Sequence, residues 1–181
     1  MRSGSQEMVG VLPSANISRG SPSPRFIPVK LPPFQKLLDA QGADVHRFLV
    51  SLVGRSEADD CYQETWLAAL RSYPQLRDAT NLRGWVLTIA YRKAIDHTRR
   101  RRAVSLVAEV PDRAAASFAT TDEDLWDRVR GLPAKQRTAL ALRYVADAAY
   151  GEIAETMGTT EEAARRSVHE GLKRLRMEYQ R

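Results

Sequence analysis

The sequence predicts an all-α fold: two small helical domains joined by a linker, the C-terminal one a helix-turn-helix. Three observations carry this. Apolar residues recur at three- and four-residue steps through most of the chain, and no segment alternates as strands do. Prolines and a small, weakly patterned stretch divide the periodic runs. Residues 147–181 set a short amphipathic helix, a glycine and a longer basic helix in succession.

Taken in order, residues 1–33 hold six of the nine prolines, with scattered Ser and Gly and no apolar period. They read as a disordered leader, or as an over-extended start. In the first helix Phe34, Leu37, Leu38, Val45, Phe48, Leu49, Leu52 and Val53 recur with helical spacing, interrupted by Gly42 and stopped by Gly54. The second sets Tyr62, Trp66, Ala69 and Leu70 on one face and ends before Pro74. The third starts near Leu82, turns Leu82, Trp85, Val86, Ile89 and Ala90 inward, and runs into Arg99-Arg100-Arg101-Arg102. Residues 34–102 form the first domain on this reading, and 103–121, with Pro111, the linker.

The second domain occupies 122–181. Thr120 and Glu123 have the spacing of a capping box. The helix it opens carries Leu125, Trp126 and Val129 on one side, and Gly131-Leu132-Pro133 breaks it. Pro133 suits the first turn of the next helix, where its missing N–H costs nothing; that helix buries Leu140, Tyr144 and Val145. Tyr150, Ile153, Ala154 and Met157 form the short helix, and Gly158 turns the chain. Thr159 and Thr160 are candidate caps for the last helix, whose inner face is Ala164, Val168, Leu172 and Leu175.

Composition narrows the function. Of 181 residues, 43% are hydrophobic, enough for packed cores. The formal charge is +6 and the pI about 9.8. The charge is banded: residues 81–102 alone hold seven basic residues against one acidic. Such a band suits a polyanion partner. The longest uncharged run, Met8 to Ser18, is too short and polar to span a bilayer, and no secretory signal opens the chain. One cysteine, Cys61, excludes an internal disulfide framework and a cysteine zinc cluster, and it falls at an apolar position that suits a buried thiol. A reducing, cytoplasmic setting follows. His46, His97 and His169 are too scattered for a metal site. With no nucleophile–base set, phosphate loop or metal motif, neither an enzyme nor a cofactor is expected.

The motifs then point to a family. The run Asp59–Leu70 resembles region 2.2 of bacterial sigma factors, and Leu82–Arg100 resembles regions 2.3 and 2.4 of their extracytoplasmic-function group. Gly131-Leu132-Pro133, Leu142–Val145, Tyr150–Glu155, His169 and Lys173–Arg176 resemble region 4. The resemblance spans roughly residues 36–180 in the family's order. It implies a dissociable, non-catalytic subunit of RNA polymerase. The first domain would dock on the β′ coiled coil and open the minus-ten element. The second would read the minus-thirty-five element as duplex, against the β flap. An anti-sigma factor is a further partner that the resemblance implies.

It also implies roles for residues. Asp60, Gln63 and Glu64 match the positions that grip the polymerase, and the 60/64 spacing sets both carboxylates on one helical face. Arg83, Arg92, Lys93, Arg99 and Arg100 match the minus-ten surface, where each phosphate neutralised would steepen salt dependence. Asn81, in the loop before Leu82, is the base-pocket candidate, while Trp85 belongs to the inner stripe and reads as core. In the second domain Thr160, Arg165, Arg166, His169, Lys173 and Arg174 are the minus-thirty-five candidates. Arg165 and Arg166 stand early enough to reach base edges, where a guanidinium can grip guanine with two hydrogen bonds. Glu161 and Glu162 would offset the helix dipole by about 0.3–1 kcal/mol each, yet repel phosphates.

The chain departs from the pattern in region 4. Ala148 and Ala149 stand where a larger apolar residue and a capping serine are usual, and a lost cap typically costs ~1 kcal/mol unless Asp147 starts the helix earlier. Ser167 and Glu170 occupy positions often basic in the family. Two rival readings stand beside the first: a stand-alone helix-turn-helix regulator, and, motivated by the weakened cap and the four acidic residues of the last segment, a degenerate sigma-like protein that sequesters a partner.

Overall fold

The computed structural model describes residues 31–108 and 121–180. The expected leader, apart from its last three residues, and the Thr120 cap lie outside the described residues. Among those described, seven α-helices and one 3-10 turn carry the regular structure, with no strand.

Helix α1 runs unbroken from Phe34 to Val53. Gly42 does not interrupt it. A Cβ there would lie 2.9 Å from the Tyr62 hydroxyl, so the glycine leaves room for the tip of that side chain from the second helix. Gly54 does end α1, at φ 89°, a conformation few other residues adopt, and α2 (Arg55–Ser72) starts directly after it. Ala58, Cys61, Thr65, Trp66 and Ala69 are buried on α2, and the Thr65 hydroxyl donates to the Cys61 carbonyl at 2.7 Å. Leu70 is not on this buried face. It is 51% exposed, because one residue past Ala69 turns about 100° around the helix.

A 3-10 turn at Tyr73–Gln75 accommodates Pro74. Tyr73 packs edge-on to Phe34, ring centroids 5.1 Å apart, and its hydroxyl donates to the Pro32 carbonyl at 2.6 Å, which ties residues 31–33 to the domain. Helix α3 spans Leu82–Ala108, so residues 103–108 of the expected linker are helical. Its Val86, Leu87, Ala90 and Ala94 close the core against α1 and α2.

The second group holds α4 (Thr121–Gly131), α5 (Ala134–Tyr144), α6 (Tyr150–Met157) and α7 (Glu161–Tyr179). Pro133 stands just before α5 rather than in its first turn, and its carbonyl accepts from the Gln136 and Arg137 amides. Tyr144, expected inside, is 60% exposed: α5 ends there, beyond the buried run Ala139–Leu142. Helices α5 and α7 approach closely at Gly171, where a Cβ would meet Leu140 Cδ1 at 2.9 Å. Gly158, left-handed at φ 62°, turns α6 into α7.

The two groups also pack on each other, α1 against α4 and α5, and α3 against α6. Arg130 of α4 donates to the Val50 carbonyl of α1 at 3.5 Å. Burial is continuous across this contact.

Candidate functional site

Helix α2 turns two edges outward. Asp60, Gln63, Leu67 and Leu70 recur at three- and four-residue steps and all are exposed, Leu67 at 55%. Leu67 was not singled out in the sequence. Its signal is an apolar side chain opposite the buried stripe 58–61–65–69. Glu64 points elsewhere. Its carboxylate meets Lys93 Nζ at 3.4 Å and accepts from Arg100 Nη2 at 3.2 Å on both oxygens. Desolvation pulls its pKa up, but Arg100 and Lys93 outweigh it and hold the carboxyl below its usual range. Glu57 likewise faces His97 at 2.9 Å and Arg101 at 3.5 Å. The acidic edge of α2 is thus laced to the basic edge of α3. Burial, then Glu64 and Glu57, push the Cys61 thiol between them up to about 11.

Of the minus-ten candidates, Arg92 and Arg99 are exposed on α3, while Lys93 and Arg100 share Glu64. Arg83 is half-buried between the two domains. It donates to the Ala146 carbonyl and lies 3.7 Å from Asp44. Asn81 opens α3: its Oδ1 accepts from the Gly84 amide at 2.7 Å, and its Nδ2 donates to Glu152 Oε1 of α6 at 3.4 Å. The Asp78 carboxylate accepts from the Thr80 amide at 2.8 Å, which lowers its pKa and shapes the same loop. Between loop and α6 lies an open cleft of about 250 Å³, lined by Asp78, Thr80, Asn81, Trp85, Glu155 and Thr156 among others. Trp85 combines two roles: it packs tilted on Tyr73, centroids 6.0 Å apart, and borders the cleft.

In the second domain, Thr160 caps α7, its hydroxyl accepting from the Ala163 amide at 3.2 Å. Arg165 is engaged twice, by the Glu161 carboxylate and by the ring of Tyr150 at 4.6 Å. Arg166, His169, Lys173 and Arg174 are exposed on the face opposite Ala164, Val168 and Leu175. The atypical residues have local partners. Ser167 donates to the Ala163 carbonyl at 2.8 Å, and Glu170 accepts from Gln136 at 3.3 Å. Asp147, at φ 45°, does not begin α6. Ala149 occupies the N-cap without a side-chain acceptor, Ala148 is buried, and Glu152 alone supplies a cap by accepting from the Ala149 amide at 2.8 Å. His46 pairs with Asp59 at 2.9 Å, and among the described residues no three groups gather as metal ligands.

Exposed basic residues on α3 and α7, the latter the second helix of a helix-turn-helix, point to the class: a helical DNA-binding protein of transcription. The family follows from comparison with known proteins. Sigma-70 region 2 matches residues 37–104, and Sigma-70, region 4 matches residues 122–175. The chain belongs to the sigma-70 family and is an RNA polymerase sigma factor of the extracytoplasmic-function group. It is 32% identical over 151 residues to RNA polymerase sigma factor CarQ of Myxococcus xanthus, covering 79% of this chain and 87% of CarQ. ECF RNA polymerase sigma factor SigX of Bacillus subtilis (strain 168) is 26% identical over 164 residues, 79% of this chain and 81% of SigX. In fold, the chain is similar to the sigma factor RpoE solved with the anti-sigma factor NepR from Bartonella quintana. That likeness has a TM-score of 0.69 at 22% identity, over 80% of this chain and 94% of RpoE. CnrH, solved with the cytosolic domain of CnrY, gives 0.63 at 19% identity, over 81% and 87%. The family directs transcription initiation and is not an enzyme class. Among the described residues no helix is long and apolar enough to cross a membrane.

Proposed function

We propose that this sigma factor docks on core RNA polymerase through the outward edge of α2, melts the minus-ten element with the α3 loop and basic face, and reads the minus-thirty-five element with α7. One observation carries the division of labour. A single domain presents Asp60, Gln63, Leu67 and Leu70 on one helix edge and Arg92 and Arg99 on another helix, with Glu64 bridging to Lys93 and Arg100 between them. An edge mixing leucines with polar groups suits a protein surface. Exposed arginines on a neighbouring helix suit phosphates. In the second domain Arg166, His169, Lys173 and Arg174 form the corresponding face on α7. The protein acts in the cytoplasm, where promoter and polymerase are. Its protein partner besides polymerase is an anti-sigma factor, the kind of protein with which RpoE was solved.

The test is transcription in vitro from a promoter library, with core polymerase and the full chain. Transcripts from a subset of promoters above the core-only background are expected. No promoter opened, together with no binding to core, overturns the reading. Tight binding to one duplex without polymerase, in a gel shift, establishes the stand-alone regulator instead.

A further inference from the structure

Tyr150 is the first residue of α6, yet it touches the helices on either side. Arg165 of α7 lies over its ring at 4.6 Å. Arg143, near the end of α5, lies over the same ring at 5.2 Å while donating to the Ala148 carbonyl at 3.0 Å. One aromatic side chain thus gathers guanidinium groups from the scaffold helix and from the helix assigned to DNA. Glu161, one turn before Arg165, accepts a hydrogen bond from its Nη2. Arg166, the next residue, is exposed.

We propose that Tyr150 is a positioning residue for minus-thirty-five recognition: it fixes the Arg165 guanidinium so that Arg165 reads one guanine-containing base pair. This rests on the assignment of α7 to the minus-thirty-five element. The physical basis is pre-organisation. A long arginine loses rotamer freedom when it grips a base edge, and a side chain already stacked on an aromatic face loses less. The acceptor pair of guanine, O6 and N7, takes the guanidinium fork whose Nη2 Glu161 engages in the absence of DNA. Glu161 serves as a placeholder, and Tyr150 keeps the fork in place through the exchange. Arg143 stiffens the ring from the α5 side.

The experiment selects duplexes randomised over the minus-thirty-five element, using the full chain reconstituted with core polymerase. Circular dichroism and thermal unfolding of each variant establish that it folds. Arg165→Ala is expected to erase the preference at one base pair. Tyr150→Leu, which keeps apolar bulk and removes the aromatic face, weakens the preference at that same pair about two- to fivefold. Other positions and the salt slope of binding stay as they were, because no phosphate contact is lost. Tyr150→Phe retains the preference, and adding Tyr150→Leu to Arg165→Ala causes no further loss. A merely structural role for Tyr150 would instead depress every position equally. That result overturns the proposal, as does a Tyr150→Leu pattern identical to the parent's while Arg165→Ala changes it. A parent protein that binds core yet selects no upstream sequence overturns the assignment of α7 itself, and the proposal with it.

Discussion

Three adjacent candidates on α2 divide once their side chains are placed. Asp60 and Gln63 stand on the exposed edge with Leu67 and Leu70, whereas Glu64 is bound to Lys93 and Arg100. Removing Glu64 would therefore disturb α3 as well as any docking surface. Its depressed pKa works through the same pairs: the folded state gains above the ordinary glutamate range and loses that gain as pH falls through the lowered value. Gln63 and Leu67 are the cleaner probes. Exposed substitutions of this kind change stability by only about 0.5 kcal/mol. The double variant Gln63→Ala with Leu67→Ala is expected to keep its unfolding midpoint and to lose about tenfold in core affinity, roughly 1.4 kcal/mol. Competition against the parent for core polymerase measures it, and equal affinity removes this edge from docking. The one-turn spacing of Asp60 and Glu64 is legible in the sequence. The pairing of Glu64 is not, because Arg100 lies 36 residues further on.

At the scale of elements, the apolar period located each helix that lies wholly in the described residues, since amphipathic stripes are written locally. Deviations arose where contact between helices decides. Gly42, expected to interrupt the first helix, instead marks a close approach to the Tyr62 hydroxyl, as Gly171 within α7 marks one to Leu140. Leu70 and Tyr144 fit an inner stripe by type but fall just beyond its reach. The start of α6 lacks a capping side chain at its N-cap. Thr160 caps α7 with its own hydroxyl, while Ala149 leaves α6 dependent on the returning carboxylate of Glu152. Ala149 is exposed in extended conformation at φ −68° and ψ 157°, geometry that a serine cap also adopts. Ala149→Ser is expected to stabilise the protein by about 0.5–2 kcal/mol, completing the capping box with Glu152. A raised midpoint in thermal or urea unfolding checks it, and an unchanged midpoint means that α6 draws its stability from packing alone.

Over the whole molecule, the start of α3 meets α6 and the residues before it. Asn81 bonds Glu152 across 71 residues of sequence, Arg83 bonds the Ala146 carbonyl across 63, and Glu155 lines the same cleft. No local pattern announces such pairs, which exist only because α3 packs against α6. They place two carboxylates beside the loop assigned to the unpaired minus-ten strand. A strand entering that loop meets both charges, and in water their effect on phosphates is modest and screened by salt. Glu152→Gln with Glu155→Gln tests this without uncapping α6, because glutamine at the third helical position also caps the backbone. The double variant is expected to bind a single-stranded minus-ten oligonucleotide a few-fold more tightly than the parent at low salt, with the difference fading as ionic strength rises. Fluorescence anisotropy of a labelled oligonucleotide across a salt series reads both quantities. Affinity equal to the parent's at low salt would mean that the strand enters away from Glu152 and Glu155.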